Sequence, residues 1–174
     1  RDFHIVGGIM VQPSDVPQKS SAVDMFYSVF THTDKVLFLA TGDKRYMDAI
    51  LDSIALAFGG RDAIIEQPRA ITLVNTNAPL GLDNIMLDVI MTFAHYGQPV
   101  IISASTMLGT TGPVTIAGTL ACSNAEVLAG VALTQMIRPG TPVVYGMQST
   151  AADMKTGQIA GASPEGTILQ GFGA

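Results

Sequence analysis

The sequence predicts an α/β fold assembled from repeating strand–helix units. Five apolar runs rich in Val and Ile lack polar alternation, which is typical of parallel strands covered on both faces. The predicted strands occupy residues 5–11, 36–40, 70–75, 99–104 and 142–146. Segments with helical periodicity separate them, and strands that alternate with helices in this way form right-handed βαβ units.

Apolar side chains spaced three and four residues apart predict the intervening helices. The pattern runs through residues 47–58 and 82–94, which are predicted to be amphipathic helices lying on the sheet, and more briefly through residues 22–30. Residues 114–137 are apolar around nearly the whole helix circumference. Because such a helix is covered on more than one side, we expect another subunit or domain to pack on it and the protein to be a homo-oligomer.

Five strand–helix units are compatible with two architectures. One is an open doubly wound sheet of five strands that is complete as it stands, and the other is most of an eight-stranded TIM-type (β/α)8 barrel. At roughly 35 residues per unit, eight units need roughly 280 residues, which is near the usual barrel length. The chain starts without Met and ends within a predicted helix, so we expect residues 1–174 to form a partial TIM-barrel domain and to be a fragment of a longer chain.

Composition and charge narrow the range of partners. Charged residues make up 13% of the chain and the mean hydropathy is +0.38, so part of the polar surface expected of a free monomer is missing. Nine Lys and Arg against 14 Asp and Glu give a net charge of −5 without a basic cluster, which argues against nucleic acid and anionic membrane surfaces as partners. Gly and Pro interrupt the uncharged stretch 89–125 before it reaches the length of a membrane span. The single cysteine, Cys122, fits a reducing, cytoplasmic compartment.

No metal site is predicted. His4, His32 and His95 lack the spacing of metal ligands, and Cys122 lies within an apolar helix, where packing is its more typical role. Residues 2–7 match the pattern D-x-H-x-x-G of corrinoid-carrying domains, but here the pattern leads into a strand and its supporting elements are missing. We therefore expect this segment to bind no corrinoid or other cofactor of its own.

Polar residues at the ends of the predicted strands are the candidate functional groups, because ligands of α/β folds bind at the carboxyl ends of parallel strands. These residues are Asn75, Asn77, Ser103, Tyr145 and Gln148. For the Asn-Thr-Asn-Ala-Pro segment, the alternative is a plain turn.

Two polar residues, Asn124 and Glu126, interrupt the apolar helix predicted at 114–137. A buried carboxylate must be paired or neutral, so the pair calls for an explanation. We favour a polar contact across a subunit interface, and the alternative is a direct role in chemistry.

Six short motifs in order resemble the trimethylamine methyltransferase superfamily, which includes the glycine betaine:corrinoid methyltransferases. They read VNTNAPL at 74–80, GPVTIAG at 112–118, NAEVLAG at 124–130, PGTPVVYG at 139–146, DMKTG at 153–157 and PE at 164–165. The resemblance covers nearly the whole chain. It implies a TIM-type barrel longer than this segment, in agreement with the architecture favoured by unit length.

The resemblance also implies methyl transfer from a methylated amine, betaine or other quaternary ammonium compound to the Co(I) centre of a corrinoid that a separate corrinoid protein carries. In this interpretation Asn75 and Gln148 are the catalytic residues, and Tyr145, Ser103 and Asn77 bind the substrate, with the Tyr145 ring facing the cation. Trimethylamine enzymes of this family carry pyrrolysine, which residues 1–174 do not contain, and the alternative is that its position lies beyond residue 174. The resemblance is therefore to the non-pyrrolysine, glycine betaine:corrinoid branch.

A function of another class stays open: a non-catalytic module that binds a small ligand at the carboxyl edge of an open five-stranded sheet. The full open reading frame separates the two interpretations. About three further strand–helix units would favour the barrel enzyme, whereas an end near residue 174 would favour the binding module.

Overall fold

The strands and helices alternate along the chain as predicted. The computed structural model describes residues 3–7, 14–17, 20–39 and 41–172. In these ranges the elements are β1 (Ile5–Gly7), α1 (Ser21–His32), β2 (Val36–Leu39), α2 (Lys44–Ala57), α3 (Arg61–Glu66), β3 (Ala70–Asn75), α4 (Asn84–His95), β4 (Val100–Ala104), β5 (Met107–Leu108), α5 (Ile116–Ile137), β6 (Val143–Met147), β7 (Thr150–Ala152), β8 (Ile159–Ala160) and α6 (Pro164–Phe172). The α/β class is therefore confirmed. The predicted continuation of β1 through residues 8–11 and of β2 to residue 40 lies outside the described residues.

The main sheet has five parallel strands in the order β1-β2-β3-β4-β6. This order follows the chain without reversal, whereas a doubly wound sheet reverses direction at a switch point. Right-handed crossovers between sequential strands put every connecting helix on the same face of the sheet. The described part of the sheet is open and does not close into a barrel.

The core lies between the sheet and this single layer of helices. Alternate strand residues face the helices and are fully or almost fully buried, as are the inward residues of α2 and α4. They include Leu37, Leu39, Ala70, Val74, Val100, Ile102, Met47, Ile50, Leu51, Ile54, Val89, Ile90 and Phe93. Because side chains alternate along a strand, the residues between these positions face the other side of the sheet, which no helix of the main layer covers.

Side-chain caps fix where three of the helices start. The Asp43 carboxylate accepts a hydrogen bond from the Arg45 N–H at the start of α2, and Asp83 does the same for the Met86 N–H at the start of α4. At α5 the Thr115 hydroxyl accepts from the Gly118 N–H. These helix starts follow the loops that leave the carboxyl ends of β2, β3 and β4, at the edge where ligands are expected.

The long helix α5 has its polar and small residues inside. The side that packs on the sheet carries Thr119, Ser123, Glu126 and Gly130. A Cβ on Gly130 would come within 2.8 Å of Ile102 Cγ2, so glycine permits the close approach of α5 to β4. Among the described residues, α5 alone has the length and hydropathy of a membrane span, which by itself is weak support for one because core helices share that composition.

A second, three-stranded sheet lies beyond the carboxyl ends of β4 and β6. Its order is β5-β7-β8, with β5 and β7 parallel and β7 and β8 antiparallel. Helix α6 packs on β7 and on α5. This small sheet, absent from the sequence prediction, sits next to the predicted functional edge.

Candidate active site

Asn75 and Ser103 lie side by side at the carboxyl edge of the main sheet. They are register partners on β3 and β4, and Gly146 on β6 is the next partner in the row. Their neighbours Val74 and Ile102 belong to the helix-facing core, so this row faces the opposite side of the sheet. A Cβ on Gly146 would lie 3.1 Å from the Ser103 Cβ, so the absence of a side chain at Gly146 leaves room beside Ser103.

Polar atoms in this row have no hydrogen-bond partner among the described residues. These atoms are Asn75 Oδ1 and Ser103 Oγ. Thr106 Oγ1, just beyond β4, is likewise without a hydrogen-bond partner among the described residues. Ser103 is only 1% exposed and Thr106 is completely buried. Because buried polar groups in proteins are almost always paired, such unpaired atoms are candidates for holding a ligand.

The loops around these atoms carry no positive charge. Residues 75–77, 103–106 and 146–149, which end the three strands, contain neither Lys nor Arg. The site therefore offers one amide oxygen and two hydroxyl groups, all neutral, and these three loops supply no Lys or Arg to pair with an anion. That chemistry suits a positively charged ligand better than an anion.

Asn77 and Gln148 are exposed on loops at the same edge. The Asn77 backbone exchanges two hydrogen bonds with Gly81, of 2.8 and 2.9 Å, and the Gln148 N–H donates to the Ala104 carbonyl at 2.8 Å. The backbone at both positions is thus fixed while the side-chain amides are open to solvent. Asn77 and Gln148 lie on the rim of the site.

Tyr145 lies on the other face of the sheet. Its register partner is Ile102, which packs on α5, and its hydroxyl donates to Asn124 Oδ1 of α5 at 3.1 Å. Burial raises the pKa of the Tyr145 phenol. The structure therefore does not bring Tyr145 together with Asn75 and Ser103, although all three stand at strand ends.

Glu126 is a site-related residue whose role the sequence did not reveal. It is 3% exposed, and its carboxylate accepts from the Thr76 hydroxyl at 2.5 Å and from the Leu80 N–H at 2.8 Å. Both donors belong to residues 76–83, which we call the β3–α4 loop. The expectation that Glu126 makes a polar contact across a subunit interface is wrong, because its hydrogen-bond partners Thr76 and Leu80 belong to the same chain.

Cys122 lies one helical turn before Glu126 and directs its thiol at the same carboxylate, with Sγ 3.9 Å from Oε1. Burial raises the pKa of the Cys122 thiol, and the charge of Glu126 and the hydrogen bond to it raise it further. A thiol whose pKa is raised stays protonated near neutral pH and is a poor nucleophile. This agrees with a packing role.

Metal-ligating residues do not gather in the described part of the chain: it has no group of three or more His, Cys, Asp or Glu side chains placed to hold an ion. His4 directly precedes β1 and so lies at the amino edge of the sheet, opposite the edge with Asn75. The unpaired polar atoms described at the carboxyl edge are hydrogen-bonding oxygens, which can bind and orient a ligand.

Known proteins resemble this chain over almost its whole length. The sequence model of the family described as trimethylamine methyltransferase (MTTB) matches residues 1–173. The glycine betaine methyltransferase of Desulfitobacterium hafniense strain Y51 is 41% identical over 165 residues, which are 95% of this chain and 34% of the relative. The trimethylamine methyltransferase MttB of D. hafniense strain DSM 10664 / DCB-2 is 33% identical over 89% of this chain and 31% of the relative.

A third relative, the proline betaine:corrinoid methyltransferase of Eubacterium limosum, is 42% identical over 59% of this chain and 21% of its own length. The chain thus spans about a third or less of these relatives. The family match nevertheless extends over nearly every residue. The chain belongs to the trimethylamine methyltransferase (MTTB) family.

Proposed function

We propose that the full-length protein moves a methyl group from a methylated amine or quaternary ammonium compound, of the trimethylamine or glycine betaine type, to the Co(I) of a corrinoid carried by a separate protein. The observation that carries the proposal is the pair of oxygens on Asn75 and Ser103 that find no hydrogen-bond partner among the described residues, beside loops 75–77, 103–106 and 146–149 that contain neither Lys nor Arg. Family membership supports the reaction class. In the relatives' names, the donors are glycine betaine, trimethylamine and proline betaine.

The five parallel strands are proposed to be part of a (β/α)8 barrel that the rest of the protein completes. Their sequential order and single helix layer support this, because in such a barrel the helices form the outer ring and the other sheet face lines the interior. About three further units would close it. Asn75 and Ser103 would then face the barrel interior at its carboxyl end, where barrel enzymes bind substrates.

The residues of this chain are proposed to bind and orient the donor. When the methyl group transfers, the N–CH₃ bond breaks, its electron pair stays on the amine nitrogen, and the Co(I) electron pair forms the new bond to carbon. The Co(I) corrinoid supplies the nucleophile, so the barrel needs only to desolvate the cation and hold it in line. Neutral acceptors suit that task, because they stabilise the cation without neutralising it.

Asn75 and Gln148 are proposed to orient the donor, and Ser103 and Asn77 to contact it. Tyr145 bonds Asn124 on the α5 face, so we assign it to bracing β6 against α5 instead of to the cation. The corrinoid is proposed to reach the site with its partner protein, without a ligand from this segment.

The protein is further proposed to be a homo-oligomer in the cytoplasm. The outer face of α5 exposes Leu128 to 50% and Met136 to 82%, which gives an apolar surface for a second copy. Leu128→Lys should then shift the full-length protein to smaller species in analytical ultracentrifugation. An unchanged sedimentation coefficient would count against this contact.

The reaction is tested with the full-length protein, purified corrinoid protein in the Co(I) state, and a panel of methylamines and betaines. Methyl transfer is followed by the change in corrinoid absorbance. Asn75→Ala should lower kcat by roughly 10- to 100-fold, since misorientation acts on the barrier. The control is Gln67→Ala, an exposed amide just before the opposite end of β3, which should keep full activity.

Two outcomes would contradict this function. If no donor in the panel were demethylated, the reaction class would be wrong. If a betaine bound tightly without transfer under conditions where the corrinoid is intact, the non-catalytic binding module would be the better interpretation.

A further inference from the structure

The β3–α4 loop is tied to α5 through a single side chain. Glu126 Oε2 accepts from the Thr76 hydroxyl and Oε1 from the Leu80 N–H, at 2.5 and 2.8 Å. These two donors flank residues 77–79, so one carboxylate fixes both ends of the turn. The paired backbone bonds between Asn77 and Gly81 close the loop on itself.

Around Leu80, side-chain packing contributes little to holding the loop in place, although Leu82 near the end of the loop packs against the core. A cavity of about 160 Å³ separates it from α5, lined by Leu80, Gly81, Leu82, Ala125, Glu126 and Ala129. The Leu80 side chain is 68% exposed, and the other α5 residues at the cavity are alanines, too short to fill it. The hydrogen bonds of Glu126 therefore hold the loop across a gap.

The loop backbone is strained at the point where Glu126 binds it. Leu80 has φ +55°, in the left-handed region that non-glycine residues seldom adopt, at a cost on the order of 1–3 kcal/mol. Its N–H is one of the two donors to Glu126. Without that acceptor, we expect the strained conformation to relax.

The other donor lies directly against the candidate active site. Thr76 follows Asn75 in the chain, and its N–H bonds the Ser103 carbonyl at 2.9 Å. Side-chain alternation sends Thr76 toward α5 and Asn75 to the opposite face. Anchoring the Thr76 hydroxyl thus fixes the backbone from which the Asn75 amide projects.

We propose that Glu126 is the positioning residue of this site: its carboxylate holds the β3–α4 loop so that Asn75 and Asn77 are presented to the donor. Glu126 acts through the loop and takes no part in bond making or proton transfer. The kinetic part of this inference rests on the proposed methyl transfer. The structural part, that Glu126 orders the loop, is independent of it.

Two substitutions at Glu126 in the full-length protein separate positioning from a need for charge. Glu126→Ala removes both acceptors, whereas Glu126→Gln keeps an oxygen for the Leu80 N–H and turns an amide toward the Thr76 hydroxyl. We expect kcat to fall by roughly 10- to 100-fold in the alanine variant and by less than roughly threefold in the glutamine variant. In the alanine variant kcat should fall by a larger factor than donor KM rises, because orientation acts on the barrier, whereas Asn77 is one of several donor contacts.

Thr76 gives a second, milder perturbation of the same contact. Thr76→Val removes one of the two bonds and should lower kcat by roughly fivefold, whereas Thr76→Ser keeps the hydroxyl and should restore it. Its effect should not add to that of Glu126→Ala, because both changes break the same contact. If Glu126→Ala does not fold, the comparison of Thr76→Val with Thr76→Ser still tests the contact. Thr134→Val is the matched control, since Thr134 is buried on the same helix and its hydroxyl bonds the Gly130 carbonyl of α5.

Hydrogen exchange of the β3–α4 loop measures its order without reference to activity. We expect the Leu80 and Gly81 amides to exchange at least roughly tenfold faster in Glu126→Ala, and within roughly threefold of the unaltered protein in Glu126→Gln and Thr134→Val. Equal losses of kcat in both Glu126 variants with unchanged loop exchange would overturn the inference, as would an alanine variant that keeps both kcat and protection. If the unaltered protein demethylates no donor, the proposed function fails, and exchange alone decides whether Glu126 orders the loop.

Discussion

Two buried serines should respond in opposite ways to the same substitution. Ser103 is 1% exposed and its hydroxyl has no partner among the described residues, whereas Ser123 is completely buried and its Oγ lies 2.8 Å from Ser149 Oγ. An unpaired buried hydroxyl costs about 1 to 3 kcal/mol. Ser103→Ala should therefore raise the free energy of unfolding by about 1 kcal/mol, while Ser123→Ala lowers it by about 1 to 2 kcal/mol because Ser149 loses its partner.

Urea unfolding of the full-length variants, followed by circular dichroism, measures this difference. The expected gap of about 2 to 3 kcal/mol between the two variants exceeds the usual error of linear extrapolation. The more stable variant should also be the less active one, with kcat/KM lower by roughly tenfold, as expected where a polar group is kept for a ligand. If Ser103→Ala destabilised the protein as much as Ser123→Ala, the Ser103 hydroxyl would have a structural partner in the full-length protein and would not be kept for a ligand.

Two further predictions concern residues placed away from the donor. Tyr145→Leu removes the ring from the α5 face and should leave the donor KM within roughly twofold of that of the unaltered protein. If the ring contacted the cation, its loss would weaken donor binding by roughly 2- to 30-fold. A rise of more than tenfold in the donor KM would show that Tyr145 contacts the donor. Because the pKa of the Cys122 thiol is raised, its alkylation by iodoacetamide should reach half-maximal rate at a higher pH than that of glutathione. A lower midpoint would contradict the environment described for Cys122.

The strands of the main sheet were predictable because their sequences are apolar without polar alternation, a pattern typical of parallel strands. Residues 70–75 are β3 with the predicted bounds, and β4 and β6 agree within one residue at each end. The strands β5, β7 and β8 escaped prediction since they have two or three residues, too few to show a period. Contacts with distant elements, not local pattern, create them.

The sequence predicted at which edge of the sheet the candidate site lies. It did not predict on which face of the sheet each side chain lies. Strand ends locate Asn75, Ser103 and Tyr145, yet a shift of one residue turns a side chain to the opposite face, and only register with neighbouring strands decides which face it takes. Glu126 was visible as a polar residue in an apolar helix. Its partners Thr76 and Leu80 lie 50 and 46 positions earlier in the chain, so their identity depended on the fold.

We propose that the donor binds at Asn75 and Ser103, on the face of the sheet opposite the helices. A crystal structure of the full-length protein with a non-transferable analogue of the best donor tests it most directly. We expect the ammonium group to lie in van der Waals contact, within about 4 Å, of Asn75 Oδ1 and Ser103 Oγ. An analogue bound on the α5 face beside Tyr145, or at the amino edge of the sheet, would contradict donor binding at Asn75 and Ser103.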